Sequence, residues 1–337
     1  MIRVCLSIFF SVILAGLIFA GWNYLELQKT LEQPMVTVGN TSVSFEVNKG
    51  DSMKAIAEKL NTSGLYDHPE ILRLAARKAG LDDQIKVGEY AINTGMTPLD
   101  FLDMITQGRV VQHRVTFVEG WTFKQMLAAL AKEKSLKKEL TGLSDEEIMK
   151  KLGEPNVNPE GRFFPDSYFY TSGSSDLDIL KRSYEAMEKL VDELWKQRDK
   201  DLPYKSPLEA MTMASIIEKE TASDDERAEI AGVFVRRLKK GMKLQTDPTV
   251  IYGIGREFDG NLTRKHLRTD TPYNTYTRTG LPPGPIAMFG RASLEAALHP
   301  KQGNTLYFVA RGDGSHQFSS TLKEHNEAVR KYQLKKK

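Results

Sequence analysis

Nineteen consecutive residues near the N-terminus, Val4–Trp22, carry no charge. An uncharged run of this length is typical of a segment that lies in a membrane. A helix of that length can cross the hydrocarbon layer of a membrane. Arg3 precedes the run, and Trp22 and Tyr24 end it, as basic and aromatic residues do at the edges of membrane helices. The run predicts one membrane anchor over residues 1–25, with a cytoplasmic N-terminus and the rest of the chain on the outer side.

A cleaved signal peptide is the alternative interpretation of this run. Signal-peptide cleavage sites carry small residues at alternating positions, and Phe19-Ala20-Gly21 fits that pattern poorly. No cysteine that could be lipidated follows the run. We therefore expect the segment to be retained as an anchor.

The chain is large enough for two or three folded units, with 337 residues and 40% hydrophobic content. Its 47 basic and 44 acidic residues give a formal net charge of +3 and are spread along the chain, so nucleic acid is not an expected partner. Cys5, the only cysteine, lies in the apolar run, and the six histidines show no paired metal-ligand spacing. The sequence predicts no disulfide, no metal site and no cofactor.

A short pattern occurs three times between the anchor and residue 140: a strand-like segment, a glycine and, two residues later, a hydroxyl residue before an apolar helical pattern. The three copies are Phe45–Ser52, Tyr90–Thr97 and Val115–Thr122. The hydroxyl oxygen can accept a hydrogen bond from the first helical amides. We therefore predict helices that begin at Ser52, Thr97 and Thr122.

One acidic residue, Glu218, ends a densely apolar segment that starts at Leu208. At about 100° per residue, the apolar side chains cover one wide face of a helix, with Glu218 near its edge. A carboxyl group against apolar surface loses hydration, which favours the protonated form and allows proton donation. Glu220 lies about 160° around the helix, so the two carboxylates cannot converge on one substrate bond. At most one is the proton donor, and helical geometry does not decide which.

Amides, hydroxyls and aromatic rings are concentrated downstream, in Gln245–Tyr252, Tyr273–Tyr276 and Gly280–Ile286. Amides and carboxylates match the hydroxyl groups of sugars, and aromatic faces cover the apolar faces of pyranose rings. This composition indicates a carbohydrate site. The alternative is a set of ordinary turns, in which the prolines only stiffen a loop.

The chain resembles the YceG-like endolytic murein transglycosylases, the MltG family of peptidoglycan lytic transglycosylases, in six blocks that occur in the same order. The blocks are Glu160–Tyr168, Ser215–Thr221, Gln245–Tyr252, Pro272–Tyr276, Gly280–Ile286 and Leu306–Ala310. Residues 43–110 also resemble the LysM module, which binds the glycan strands of bacterial cell walls. One departure precedes Gly290, where the family commonly has a proline, and it affects only the expected shape of that loop.

The resemblance implies an α+β fold with three parts. A single transmembrane helix is followed by a LysM-like glycan-binding module and connecting region over residues 40–140, and then by a mixed α+β catalytic domain over residues 155–330. The implied location is the bacterial inner (cytoplasmic) membrane, with the catalytic domain on the periplasmic side. The implied partners are peptidoglycan glycan strands and peptidoglycan synthases.

The resemblance also implies that Glu218 is the single catalytic acid/base. It would protonate the oxygen of the β-1,4 bond between N-acetylmuramic acid and N-acetylglucosamine, and then take the proton from the muramic C6 hydroxyl as a 1,6-anhydro ring closes. One carboxylate suffices because the nucleophile is tethered within the substrate. The residues implied to line or support the cleft are Glu220, Gln245, Asp247, Tyr252, Asn274, Thr275 and Tyr276.

Two other functions fit the same residues. A hydrolytic muramidase would need a second carboxylate, for which Asp247 is the best candidate in the sequence. A membrane-tethered scaffold would bind peptidoglycan without cleaving it, and Glu218 would then be only structural. Anhydro ends, reducing ends or the absence of products distinguish the three possibilities.

Overall fold

The computed structural model describes residues 2–35 and 42–334, with side chains from Phe9 onward. The chain divides into two compact units, residues 1–113 with 170–173 and residues 114–169 with 174–337. Residue 40, where the LysM-like module is expected to begin, lies outside the described residues. Helices and short antiparallel strands together make this a mixed α/β protein.

The first unit begins with a long apolar helix, α1 (Ile2–Glu32). Side chains from Phe9 to Glu26 are all exposed, and the stretch Phe9–Glu32 is long and apolar enough to cross a membrane. The helix continues past residue 25, where we expected the anchor to end, and stops shortly before Pro34, which cannot extend a helix. This helix is a candidate membrane anchor.

The rest of the first unit has the order strand, helix, helix, strand, helix. Its elements are β1 (Val43–Val47), α2 (Met53–Thr62), α3 (Pro69–Ala79), β2 (Gly88–Ile92) and α4 (Pro98–Gln107). β1 and β2 pair antiparallel, with Phe45 opposite Tyr90. Alternate strand side chains are buried, and the Phe45 ring meets Phe101 of α4 edge-on at 5.7 Å. Every second strand residue and one apolar face of each helix are buried together, and they form the small core of this unit.

Three helices begin where the repeated glycine and hydroxyl pattern predicts. Ser52, Thr97 and Thr122 occupy the N-cap positions of α2, α4 and α5 (Phe123–Lys132). The preceding glycines, at positions 50, 95 and 120, have φ values of +91°, +88° and +78°. A side chain at these positions would be strained, which is why the turn before each helix uses glycine. The three predicted helix starts are confirmed.

After α4 the chain continues mainly as helices. The elements are β3 (His113–Thr116), α5, α6 (Asp145–Lys151), β4 (Ser167–Tyr170), α7 (Asp176–Gln197), α8 (Pro207–Glu220), α9 (Asp224–Lys239), α10 (Asp247–Ile254), a short 3-10 helix (Gly255–Glu257), α11 (Arg264–Arg268), α12 (Arg291–Leu298), β5 (Tyr307–Ala310), β6 (His316–Ser319) and α13 (Leu322–Tyr332). β3 pairs with β4, and β5 pairs with β6.

Helix α8 lies at the centre of the core of the second unit. Every residue from Ala210 to Ile217 is buried, where we expected one wide apolar face. Thr212 and Ser215 tolerate burial because their hydroxyls donate to backbone carbonyls of the same helix. α8 packs against α12, α9, α7 and α10. Its last turn, which carries Glu218 and Glu220, is less buried.

Candidate functional site

Glu218 connects the end of α8 to the start of α12. Its Oε2 accepts hydrogen bonds from the backbone N–H of Gly290 (3.0 Å) and from the Ser293 hydroxyl (2.7 Å). Gly290 is the N-cap residue of α12, so the carboxylate lies at the positive end of that helix. These contacts join two central helices of the second unit.

A second carboxylate, that of Glu119, lies beside the same corner. It belongs to the loop after β3, and a methyl group added at position 290 would overlap it. Partial desolvation and then the negative charge of Glu218 raise the pKa of Glu119. From the sequence, Glu119 is expected only in a strand-to-helix turn, because no spacing links it to Glu218.

Glu220 lies on the other side of the helix, as the helical geometry predicts. Its Oε1 accepts a hydrogen bond from the Thr246 hydroxyl. Burial raises the pKa of Glu220 to about 7, and the negative charge of Asp247 acts in the same direction. A carboxyl group with this pKa holds its proton in a large share of molecules at neutral pH and can both give and take one.

Glu220 lines a cavity of about 520 Å³ in the second unit. Four residues that the sequence predicts for the cleft lie on its wall: Glu220, Gln245, Asp247 and Tyr276. Its other polar lining residues include Arg237, Tyr307, His316 and His325. Glu218 is not part of this wall. The volume falls in the range of small-molecule sites, so the cavity is large enough for sugar units.

Asp247 and Tyr276 form a direct contact on the cavity wall. The Tyr276 hydroxyl donates to Asp247 Oδ1 at 2.5 Å. Gln245 has a φ of +51°, a left-handed conformation that is uncommon for residues other than glycine. Its N–H donates to the carbonyl oxygen of Thr275 (3.2 Å), which holds the segment in place. This backbone conformation places residues 245–247 on the cavity wall.

Asn274 is only 1% exposed and organises the loop that carries Tyr276. Its Oδ1 accepts from the Tyr276 N–H (2.9 Å). Its Nδ2 donates to three backbone carbonyls, those of His266, Leu267 and Thr269. The amide is fully used by the protein, and direct substrate contact by Asn274 stays a prediction.

Thr275, 2% exposed, connects that loop to the start of α10. Its hydroxyl oxygen accepts from the Thr246 N–H (3.1 Å) and shares a hydrogen bond with the Thr249 hydroxyl (2.9 Å). Thr246 in turn donates to Glu220. Thr275 therefore supports the cavity wall behind Glu220, and its contact with substrate also stays a prediction.

Tyr252 lies outside the cavity lining. Its ring packs against Tyr273 at a centroid distance of 4.8 Å, and its hydroxyl shares a hydrogen bond with Glu160. Burial raises the pKa of Glu160 to about 7, and its Oε1 also accepts from the Phe123 N–H at the start of α5. Tyr252 and Glu160 thus connect α10 with α5, while the predicted binding role of Tyr252 stays a prediction.

His316 is a cavity residue that the sequence analysis did not single out. Glu226, in the first turn of α9, accepts from the His316 backbone N–H (2.9 Å), and its other oxygen lies 2.7 Å from His316 Nδ1. The two residues are 90 positions apart, so no sequence spacing could reveal the pair.

Within residues 2–35 and 42–334, no group of three or more His, Cys, Asp or Glu side chains is arranged to hold a metal ion. Glu119 and Glu218 lie near the start of α12, whereas Glu220 and Asp247 lie on the cavity wall.

The fold and the site define a class of protein: a mixed α/β chain with one apolar N-terminal helix, a small strand–helix–helix–strand unit and a carboxyl-lined cavity. The model of the YceG-like family matches residues 45–331, from β1 into α13. The chain belongs to the YceG-like family.

Relatives in three organisms agree with this membership. An endolytic murein transglycosylase of Bacillus subtilis is 35% identical over 322 residues, which cover 90% of this chain and 88% of the relative. An endolytic murein transglycosylase of Streptococcus pneumoniae is 27% identical over 358 residues, 95% of this chain and 64% of the relative. The crystal structure of a putative YceG-like protein from Listeria monocytogenes has a TM-score of 0.52 at 32% identity and covers 86% of this chain and 99% of that one.

Proposed function

We propose that this chain is an endolytic murein transglycosylase that cuts within peptidoglycan glycan strands. The similarity to the Bacillus subtilis enzyme along most of both chains supports the activity. The observation that carries the assignment of the site is the cavity with Glu220, Asp247 and Tyr276 on its wall. Carboxyl, amide and hydroxyl groups around a cavity of this size match the hydroxyl-rich surface of a sugar.

The acid/base of this reaction is a glutamate at the end of α8, and the geometry favours Glu220 over Glu218. Glu220 lines the cavity, and burial raises its pKa to about 7. Glu218 lies outside the cavity lining, and its Oε2 is occupied by Gly290 and Ser293. We therefore propose Glu220 as the catalytic acid/base, and Glu218, for which the sequence predicts this role, is the alternative.

In the proposed reaction, Glu220 donates its proton to the glycosidic oxygen while the bond from muramic C1 to that oxygen breaks. The Glu220 carboxylate then takes the proton from the muramic C6 hydroxyl, whose oxygen bonds to C1 and closes the 1,6-anhydro ring. Glu220 ends the cycle protonated, and no water is consumed. The Thr246 hydroxyl fixes one oxygen of Glu220 and leaves the other for the substrate.

A hydrolytic muramidase is the second candidate, because Asp247 lies close enough for its charge to act on Glu220. Hydrolysis through two carboxylates needs the second one free to hold a water or to attack the sugar. Asp247 Oδ1 instead accepts a 2.5 Å hydrogen bond from Tyr276, which favours a supporting role.

The first unit is proposed to be a LysM-like glycan-binding module. Its two strands each end in a glycine turn that is followed by a helix, which is the arrangement expected of the module. A groove of about 600 Å³ runs between the start of α2 and the end of α3 with the loop that follows it. The groove is lined by Ser52, Met53, Lys54, Glu70, Arg73, Leu74, Arg77, Asp82 and Asp83. These charged and hydroxyl groups can hydrogen-bond a glycan strand.

Replacing Arg77 with alanine should weaken binding to murein. In a Glu220→Gln background, which removes turnover, we expect co-sedimentation with insoluble murein to fall about 10-fold, since one polar anchor of the groove is lost. Arg109→Ala is the matched control, because Arg109 is exposed, pairs with Asp103 and lies outside the groove. Equal binding by the Arg77→Ala and Arg109→Ala variants would show that Arg77 and its groove do not bind murein.

Helix α1 is proposed to anchor the chain in the cytoplasmic membrane, with the residues after α1 on the outer, periplasmic side. The exposed apolar side chains of α1 support this placement. An anchor at the membrane raises encounters with newly made strands. Peptidoglycan synthases are the proposed partners, since they release those strands at the membrane surface.

The activity is tested with purified glycan strands of defined length. An endolytic enzyme produces fragments of intermediate length early in the reaction, whereas a scaffold binds the strands and leaves their length unchanged. Loss of only terminal disaccharides would contradict cutting within the strand.

A further inference from the structure

His316 and Glu226 contact each other next to the cavity, and the role inferred for them rests on the proposed function of that cavity. His316 begins β6 and lies on the wall that also carries Glu220. The His316 and Glu226 side chains are only 13% and 17% exposed. The imidazole also meets the Phe308 ring edge-on at 5.4 Å. A buried, hydrogen-bonded pair on the same wall as the proposed catalytic carboxyl group can influence proton transfer there.

Glu226 fixes the position of the imidazole. One carboxylate oxygen accepts from the His316 backbone N–H, and the other contacts Nδ1. A carboxylate at Nδ1 favours the tautomer that carries a proton on that nitrogen. Among the described residues, Nε2 has no hydrogen-bond partner, so this end of the ring is available to the cavity.

The charge of this ring reaches Glu220. A positive His316 favours the carboxylate form of Glu220 and so opposes the effects of burial and of Asp247. Other charged or titratable groups face the cavity from the elements around it: Arg237 on α9, Asp247 on α10, Tyr276 between α11 and α12, Tyr307 on β5 and His325 on α13. Arg237 donates to the carbonyls of Leu306 and Leu244, and this holds its charge in place. The His316 imidazole is instead held in place by the Glu226 carboxylate.

We propose that Glu226 and His316 form a positioning pair for Glu220, in which Glu226 orients the imidazole on the cavity wall so that the ring, when protonated, favours the carboxylate form of Glu220 between its two proton transfers. Burial alone would hold the proton on Glu220 too firmly for the second half of the reaction. The positive ring offsets that burial without touching the scissile bond. Glu220 stays the catalytic residue, and His316 acts through it.

The test is the pH dependence of kcat on soluble glycan strands for His316→Gln and Glu226→Gln. In the His316→Gln variant we expect kcat to fall about 10-fold with KM within about 3-fold. Activity falls at high pH as Glu220 loses its proton, and without the positive ring this alkaline limb should move up by about 0.5 to 1 pH unit. Glu226→Gln should give a smaller shift in the same direction. If the His316→Gln variant does not fold, the Glu226→Gln variant carries the test.

The matched control is His299→Gln, because His299 forms a similar pair with Asp199 (2.7 Å) that is about 40% exposed and outside the cavity. The pH profile of this variant should overlay that of the wild type. An unshifted alkaline limb in folded His316→Gln or Glu226→Gln protein, or an equal shift in His299→Gln, would overturn the positioning pair. The proposed function would survive that result, since it fails only if wild-type protein cannot cut strands.

Discussion

Replacing Glu220 with glutamine should lower kcat for strand cleavage by about 1,000-fold, because general acid and base catalysis together contribute at this scale. Glutamine keeps the size of the side chain and can still accept the Thr246 hydrogen bond. It cannot donate the proton to the glycosidic oxygen or take one from the C6 hydroxyl. The measurement is the initial rate of strand shortening at neutral pH, with the thermal midpoint as a check on folding.

The same substitution at Glu218 is the matched control. Glu218→Gln should keep cleavage within about 10-fold of wild type, since Glu218 lies outside the cavity and its contacts are to Gly290 and Ser293. Its main effect should be a modest loss of stability where α8 meets α12. An inactive Glu218→Gln protein together with an active Glu220→Gln protein would return the acid/base role to Glu218.

Replacing Asn274 with alanine should give the largest loss of stability among the site residues, about 2–4 kcal/mol. The substitution removes the partner of three buried carbonyl groups and of the Tyr276 N–H. Unsatisfied buried polar groups carry most of that cost. Denaturant unfolding followed by the fluorescence of Trp121 and Trp195, both in the second unit, measures it.

Asn261→Ala is the control for this prediction, because Asn261 is exposed and its side chain makes none of these contacts. Its unfolding midpoint should match that of the wild type. Equal stability of the Asn274→Ala variant would mean that the loop carrying Tyr276 is held by other contacts, and would leave Asn274 free for a direct role toward substrate.

Local signals in the sequence predict much of the fold. The charge-free run corresponds to α1, and the glycine with a following hydroxyl residue marks the starts of α2, α4 and α5. Each of these features depends on residues that are close in sequence. The amides, hydroxyls and aromatic rings typical of sugar-binding sites also point to the segments that contain Gln245, Asp247 and Tyr276. These three residues line one cavity together with Glu220.

Helical geometry could not choose between Glu218 and Glu220, and the family resemblance implied Glu218. Helical geometry placed them apart, but the side of α8 that faces a cavity depends on α9, α10 and α12, which pack around it. The burial of Thr212 and Ser215 also makes the exposed side of α8 hard to predict. Their hydroxyls hydrogen-bond within the helix, so a side of the helix that carries polar residues can lie in the core. The Glu226–His316 contact and the position of Glu119 beside Gly290 likewise join residues that are far apart in the chain.

The most direct test of the central claim is the chemistry of the new strand ends formed in water labelled with heavy oxygen, read by mass spectrometry with the Glu220→Gln protein as blank. The account predicts 1,6-anhydro-muramic ends that are one water mass lighter than reducing ends and contain no heavy oxygen, because the C6 hydroxyl of the sugar replaces water. Reducing ends that carry the heavy oxygen would contradict it.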